Sequence, residues 1–411
     1  MKFDTYAINS TLKTNLKAQG LIRPTDIQYK AIPSILKGED VLAIAQTGTG
    51  KTVAFAVPVI NTVLNLKRTQ KNPGIQTIIM VPTRELAVQI QDVFMSLCRK
   101  TKVKPFAVFG GVEQDKQIQT LIKGVDILIA TPGRMFDLIS QKAIDIRQVK
   151  ILVLDEADQM LDKGFLEDIQ CIKRLLKQRH QTLFFSATIN KNIKKLAYSQ
   201  VKSSAVRIQI SPEDPVSKNV SHYVISVEMD DKRFFLRKFI RENPDSKILV
   251  FVRTTVRAER VAKALERSNI NALTIYGKKE QDERLAVLDR FKQGEDKILI
   301  ATDVSARGID IPNVDYVINY DLPEQKEMYV HRVGRTGRGR AKGKAISFCS
   351  SQETDLLTQI QDFIGKQIET IKVSKDEYAF TVEVTETSKD IREMILANEK
   401  WEKKKGRRKK K

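Results

Sequence analysis

Short apolar runs rich in β-branched residues alternate with stretches of helical periodicity along most of the chain, and this alternation is what most narrows the fold. A run that is apolar on both faces suits a strand covered by two layers. A helix-length gap before the next run lets the chain return to the same edge of a parallel sheet. In the first half the predicted strands are Val41 to Ala45, Thr77 to Val81, Phe106 to Phe109, Val125 to Ala130, Ile151 to Leu154 and Thr182 to Phe185, with an amphipathic helix over Arg84 to Arg99. A second series follows at Lys247 to Val252, Ala272 to Tyr276, Lys297 to Ala301, Val314 to Asn319 and Lys344 to Phe348, with helices over Val256 to Arg267 and Glu280 to Phe291. The fold class is therefore α/β with two domains, each a mostly parallel sheet flanked by helices. The expected boundaries are 1–210 and 220–365, joined by a linker over 211–219 that holds two prolines and no periodicity. A polar to basic extension, 366–411, is expected to be flexible at its end.

The length agrees with two domains, because 411 residues exceed what one hydrophobic core normally serves. With 41% hydrophobic residues and only 19 Gly and 12 Pro, a disordered or collagen-like chain is excluded. The formal net charge of +21 favours a polyanionic partner. Much of that charge sits in the body, since Glu402 to Lys411 supplies eight Lys/Arg against one Glu and leaves +14 for the remainder. Cys98, Cys171 and Cys349 are too scattered for a disulfide framework or a zinc site. The N-terminus has no apolar signal-peptide core and no run is long enough to span a bilayer, so the expectation is a soluble cytoplasmic protein with no membrane role.

Chemistry concentrates where the strands end. Val41 to Ala45 runs into Gln46, Thr47, Gly48, Thr49, Gly50, Lys51 and Thr52, then into a helical pattern, which is the context a P-loop requires. Glycines there let backbone N–H groups wrap phosphate oxygens; Lys51 reaches the β- and γ-phosphates and Thr52 ligates Mg²⁺. The first glycine of the general pattern is Ala45. Ile151 to Leu154 ends in Asp155, Glu156, Ala157 and Asp158, which offers a carboxylate for the metal in Asp155 and a base for the attacking water in Glu156. An acidic helix cap explains one of these acids but not two beside a P-loop. The Gln28 amide has the donor and acceptor that match adenine N6 and N7, and Phe3 could stack on the purine, although each is also an ordinary residue type for its place.

The second half has no such loop and supplies arginines. In Tyr329 to Arg338, YVHRVGRTGR, Arg335 and Arg338 face one site if the chain is helical there. They suit either a γ-phosphoryl group or a nucleic-acid backbone. Other polar clusters lie at strand ends: Pro82, Thr83 and Arg84; Gly110 and Gly111; Thr131, Gly133 and Arg134; Gln281 and Arg284; Thr302 and Asp303. Such groups position a phosphodiester strand without reading its bases. His180 and His222 belong to no motif.

On these residues the chain resembles a DEAD-box RNA helicase of superfamily two, over roughly residues 3 to 365 and with the motifs in family order. The resemblance implies two RecA-like domains with ATP and single-stranded RNA across their cleft. It places Phe3 and Gln28 in an adenine-reading motif and accepts Ala45 at the head of the P-loop. Asp158, Ser186 and Thr188 then become the group coupling hydrolysis to strand separation. It puts Gly308 and Asp310 on the ATP side, and His331, Arg335 and Arg338 at coupling and arginine-finger positions. Ser305, where alanine is usual, and Tyr276 before Gly277, where histidine is common, depart from the pattern. The implied function is ATP-dependent unwinding of short duplexes or remodelling of RNA–protein complexes by a monomer, with ATP and Mg²⁺ as cofactors, RNA as partner, and ribosomal or ribonucleoprotein particles as the setting. A DNA translocase would share the P-loop and arginines, and a passive RNA clamp would share the binding groups without turnover.

Overall fold

The structure is a computed structural model of the 411-residue chain and describes residues 2–45, 48–69, 74–188, 191–210, 219–277, 279, 281–303, 314–337 and 342–383, without the side chains of 281 and 282. Gln46, Thr47, Gly308, Asp310, Arg338, the Gln281 side chain, most of the expected linker and the basic terminus therefore lie outside the described residues.

The first sheet has seven parallel strands, β1 (Val41–Ala45), β2 (Thr77–Met80), β3 (Pro105–Val108), β4 (Ile127–Ala130), β5 (Ile151–Leu154), β6 (Gln181–Ser186) and β7 (Val206–Ile210), in the order β3-β4-β2-β5-β6-β1-β7. Alternate residues of each strand enter two cores. Val41, Ala43 and Val153 pack with α1 (Ser10–Ala18), α2 (Asp26–Leu36), α3 (Lys51–Thr69) and α4 (Arg84–Leu97) on one face. Leu42, Ile44 and Leu152 pack on the other with α5 (Gln114–Ile122), α6 (Pro132–Ser140), α7 (Ala157–Asp162), α8 (Leu166–Leu175) and α9 (Lys191–Gln200). Burial on both faces is the reason these runs are continuously apolar, each large side chain contributing about 1.5–3 kcal/mol. All strands being parallel, their C-terminal ends share one edge.

The second sheet repeats the plan with β8 (Val220–Ser226), β9 (Ile248–Val252), β10 (Leu273–Ile275), β11 (Ile298–Thr302), β12 (Tyr316–Asn319), β13 (Gly343–Cys349) and β14 (Glu369–Ile371), in the order β10-β11-β9-β12-β13-β8-β14, again all parallel. Its helices are α10 (Lys232–Glu242), α11 (Thr255–Glu266), α12 (Gln281–Gln293), α13 (Lys326–Val333) and α14 (Thr354–Ile364).

Three strands were not expected. β7 and β8 lie towards or at the sheet margins, where burial alternates or is partial, and β14 is a short strand with no buried residue. Because β14 pairs with β8, the second unit does not end at 365. The chain continues into a helical turn over 375–383, where Tyr378 packs on Phe235 and donates its hydroxyl proton to Asp231 at 2.7 Å. The first part of the expected extension is thus built into the domain by strand pairing, by the Tyr378 ring and its hydrogen bonds to Asp231 and Glu228, and by a Lys238–Glu377 ion pair, which polar composition conceals.

Candidate active site

At the end of β1 the chain turns through Gly48 (φ 80°) and Gly50 (φ 89°) into α3. Both adopt left-handed backbone, open to glycine at no steric cost. Gly50 is constrained a second time, because a Cβ there would fall 2.3 Å from the Gln28 amide nitrogen. That nitrogen donates to the Gly50 carbonyl (3.1 Å), the Gln28 oxygen accepts from Thr25 N–H (3.0 Å), and the Thr25 hydroxyl donates to the Thr49 carbonyl (2.8 Å). Thr25 and Gln28 form the capping box of α2, so the start of one helix clamps the phosphate loop of another. These bonds use one N–H and one lone pair of the Gln28 amide. Lys51 is buried and donates to the Ala45 carbonyl at 2.9 Å, and Thr52 stands half-buried beside it in the first turn of α3. Phe3 does not meet its expectation: its ring is 2% exposed and packs on Tyr6 in the core, which leaves it no face for a purine.

Two strands away, β5 delivers Asp155 and Glu156, 3% and 6% exposed. Glu156 is the N-cap of α7 and occupies left-handed backbone (φ 51°, ψ 48°), a strained state for a residue with a side chain. Asp155 accepts from its N–H at 3.0 Å. Burial, and then the neighbouring Asp155 charge, push the Glu156 carboxyl up to about 7, against the pull of Lys51 and Arg335. Burial raises Asp155 as well. Asp158 behaves oppositely: burial alone would raise it, but His331, Lys51 and Thr188 together hold it below the usual carboxylate range. Its Oδ2 accepts from Ala187 N–H (3.1 Å), Thr188 N–H (2.9 Å) and the Thr188 hydroxyl (3.0 Å), while Ser186 donates to the Thr188 carbonyl. Asp158 is thereby fastened to the segment after β6.

The second sheet faces this edge with its own. Glu156 feels the Arg335 charge and Asp158 feels His331, so the end of α13 and the turn after it lie near the acids that follow β5. Arg335 is 4% exposed, its guanidinium held to the His331 carbonyl at 3.2 Å. The helical premise for pairing it with Arg338 fails, because α13 ends at Val333 with Gly334 as C-cap and Arg335 is carried by the following turn. Burial lowers the Arg335 pKa while Glu156 opposes that shift.

The remaining strand-end groups fall at the other half of the first sheet, beyond β2, β4 and β3. The Arg84 guanidinium lies over Gly111, where a Cβ would be 1.9 Å from it, and near Gly110. Arg134 donates to the Gln117 oxygen (2.9 Å) and the Val112 carbonyl (3.2 Å). Thr83 acts as the N-cap of α4, its hydroxyl accepting from Leu86 N–H; Thr131 is the N-cap of α6, followed by Pro132 and Gly133; the Pro82 carbonyl accepts from Lys163. Two expected RNA groups are otherwise engaged. Arg284 forms an ion pair with Glu85 across the two sheets at 2.6 Å, both side chains largely buried. Asp303 receives two bonds from Arg332, at 2.6 and 2.8 Å, at the end of β11 beside Thr302.

A family model described as DEAD/DEAH box helicase matches residues 25–196, and one described as helicase conserved C-terminal domain matches 231–340. The ATP-dependent RNA helicase CshA of Limosilactobacillus reuteri is 38% identical over 395 residues, 96% of this chain and 78% of that protein. The chain belongs to the DEAD-box family of ATP-dependent RNA helicases. DbpA of Bacillus subtilis, an ATP-dependent RNA helicase, is also 38% identical, over 91% of this chain and 77% of its own. Among solved structures, S. cerevisiae Dbp5 bound to RNA and ADP BeF3 superposes with a TM-score of 0.82 at 30% identity, covering 94% of this chain and 99% of that one. Mss116p bound to ssRNA and AMP-PNP gives 0.85 at 27%, covering 97% and 85%. The two sheets are thus RecA-like domains. Such scores over both domains mean that the helicase holds them in much the arrangement of those two structures.

Sequence reasoning passed over two residues of the helicase. Arg332 is almost fully buried, bonded to Asp303, Asn319 and the Asp321 carbonyl, with its guanidinium 5.1 Å from the Phe251 ring centroid. Its signal was present, as the arginine next to His331. Gln159, three residues after Glu156, donates to the Glu156 carboxylate, and the N-cap to N3 spacing marks it.

Proposed function

We propose that the helicase closes its two domains, the first within residues 1–210 and the second from 220 to about 383, on ATP and RNA together. The observation that carries this reading is that the two sheets touch through the Arg284–Glu85 ion pair at 2.6 Å, with the buried Glu156 of one in the field of the buried Arg335 of the other. A base on one domain and a cation on the other make hydrolysis depend on closure.

Gln28 and the glycine turns bind the nucleotide, and Lys51 binds its phosphates. Thr52 and Asp155 fit Mg²⁺: a hydroxyl and a buried carboxylate would hold it, and a divalent cation would compensate the charge that burial penalises. When bound, the metal neutralises charge on the β- and γ-phosphates. Glu156 takes the proton of the attacking water, and Arg335 stabilises charge developing on the γ-phosphoryl. Asp158, through Ser186 and Thr188, and His331 link that step to the domain contact. Gln46, Thr47, Gly308, Asp310 and Arg338 belong to the same reading by their place in the sequence.

RNA lies along Arg84, Gly110, Gly111 and Arg134, with Thr302 on the opposing domain. Contacts to backbone and 2′-hydroxyl groups make RNA preferred over DNA while base order matters little. Duplexes open locally, as one strand bends on closure. No helix among the described residues is long and apolar enough to cross a membrane; we place the protein in the cytoplasm as a monomer acting on ribosomal or other ribonucleoprotein particles. The test is steady-state ATPase with RNA or DNA of one sequence, alongside unwinding of a short RNA duplex. RNA-selective stimulation with ATP-dependent strand release is expected, and equal stimulation by DNA would overturn the reading.

A further inference from the structure

Glu156 has a backbone that a non-glycine residue keeps only where its surroundings hold it. Its N–H is held by Asp155, and its side chain is held, among the described residues, by Gln159, whose amide nitrogen donates to Oε2 at 2.5 Å. The two are N-cap and N3 of α7, the spacing of a capping box. In such a box each side chain bonds the other's backbone; here the side chains bond each other and no side-chain cap bond forms. Gln159 is 2% exposed, and its own N–H donates to Asp158 Oδ1 at 3.1 Å. One residue therefore touches the base through its side chain and the Asp158–Thr188 group through its backbone.

A second observation separates this contact from ordinary packing. The Gln159 amide oxygen is buried and has no hydrogen-bond partner among the described residues. A buried amide satisfied at one end is costly where an apolar chain of equal length would fill the same space. The satisfied end is the one on Glu156.

We propose that Gln159 is the positioning residue for the general base, fixing Glu156 Oε2 so that Oε1 is presented to the attacking water. The proton of that water passes to Oε1 while its oxygen bonds the γ-phosphorus and the bond to the β-phosphate oxygen breaks. Gln159 exchanges no proton; it limits the rotation of the group that does. The inference rests on the reading of Glu156 as base given above.

Gln159→Met keeps the length of the side chain and removes the donor. In the full-length protein with saturating RNA, kcat should fall on the order of tenfold, with the KM for ATP and ATP-dependent retention of RNA within about twofold of the parent. Placed on Glu156→Gln, where the base is already lost, the same change should leave the residual turnover unaltered, because the two side chains act as one unit. If Gln159→Met lowers the melting temperature markedly, Gln159→Leu provides the same comparison. Parent-level kcat in Gln159→Met, or an equal loss in both backgrounds, would overturn the proposal. Its failure is distinguishable from failure of the base reading: in the latter case Glu156→Gln alone would turn over ATP at the parent rate.

Discussion

In the first sheet the strand ends carry glycines and carboxylates; in the second, built on the same seven-stranded parallel plan, they meet arginines and no phosphate loop among the described residues. Burial raises both Glu156 and Asp155, and repulsion from a neighbouring acid adds to each. Buried guanidiniums on the other side carry the complementary cost. Each edge is poorly satisfied alone and better satisfied against the other, so dividing the charge between two units of one plan favours their meeting.

The comparison is broken most severely by removing the first domain's chemistry. Glu156→Gln should lower RNA-stimulated turnover by about 10²–10⁴ while ATP still binds, whereas Lys51→Ala should abolish ATP binding itself. Nucleotide binding by fluorescence, measured beside single-turnover hydrolysis, separates the two. On the second domain, Arg335→Ala should cost on the order of 10³ in turnover and leave nucleotide-free RNA affinity near the parent's. Loss of that affinity with hydrolysis per complex preserved would return Arg335 to the RNA backbone.

The contact between the edges supplies a smaller effect. Arg284→Ala and Glu85→Gln should each lower turnover roughly tenfold, the scale of a charged hydrogen bond, and the double variant should lose little more than either. Additive losses would restore Arg284 to the RNA role its sequence position suggested. A further effect concerns stability. The folded nucleotide-free chain retains the Glu156 proton up to about pH 7, above the ordinary value, so this group favours the fold at low pH and that advantage is lost as pH rises through 7. Glu156→Gln should therefore melt a few °C above the parent near pH 8 and level with it near pH 4, read by calorimetry. The smallest effect is expected at the basic terminus. A chain ending at Lys400 should bind RNA with a shallower salt dependence, by about 0.7 in slope per lost phosphate contact, at an unchanged ATPase rate with saturating RNA.

Features set by neighbouring residues were legible in the sequence. β1 and β5 declare themselves because both faces are buried, and the glycines of the P-loop carry their backbone angles with them. Features that depend on distant partners were not. Arg284 and Asp303 have the right chemistry for RNA, and only the fold shows them answered by Glu85 and Arg332. The end of α13 removed the helical geometry assumed for Arg335, and β14 is too short and exposed for an apolar signal. Phe3 was open to either a ligand or a core, and packing decided for the core.

The close approach of Gln28 to Gly50 has a mechanical consequence. A methyl group at residue 50 would collide with the very amide nitrogen that holds the loop, and the left-handed backbone there (φ 89°) would strain any side chain, so residue 50 is bound to glycine twice over. A shorter side chain at residue 28 would relieve the collision in Gly50→Ala but not the backbone strain, so the double variant should stay impaired in nucleotide binding. The glycine turn and the start of α2 are thus one mechanical unit: a displacement of the loop is passed through the Gln28 amide and the Thr25 hydroxyl to the first turn of the neighbouring helix.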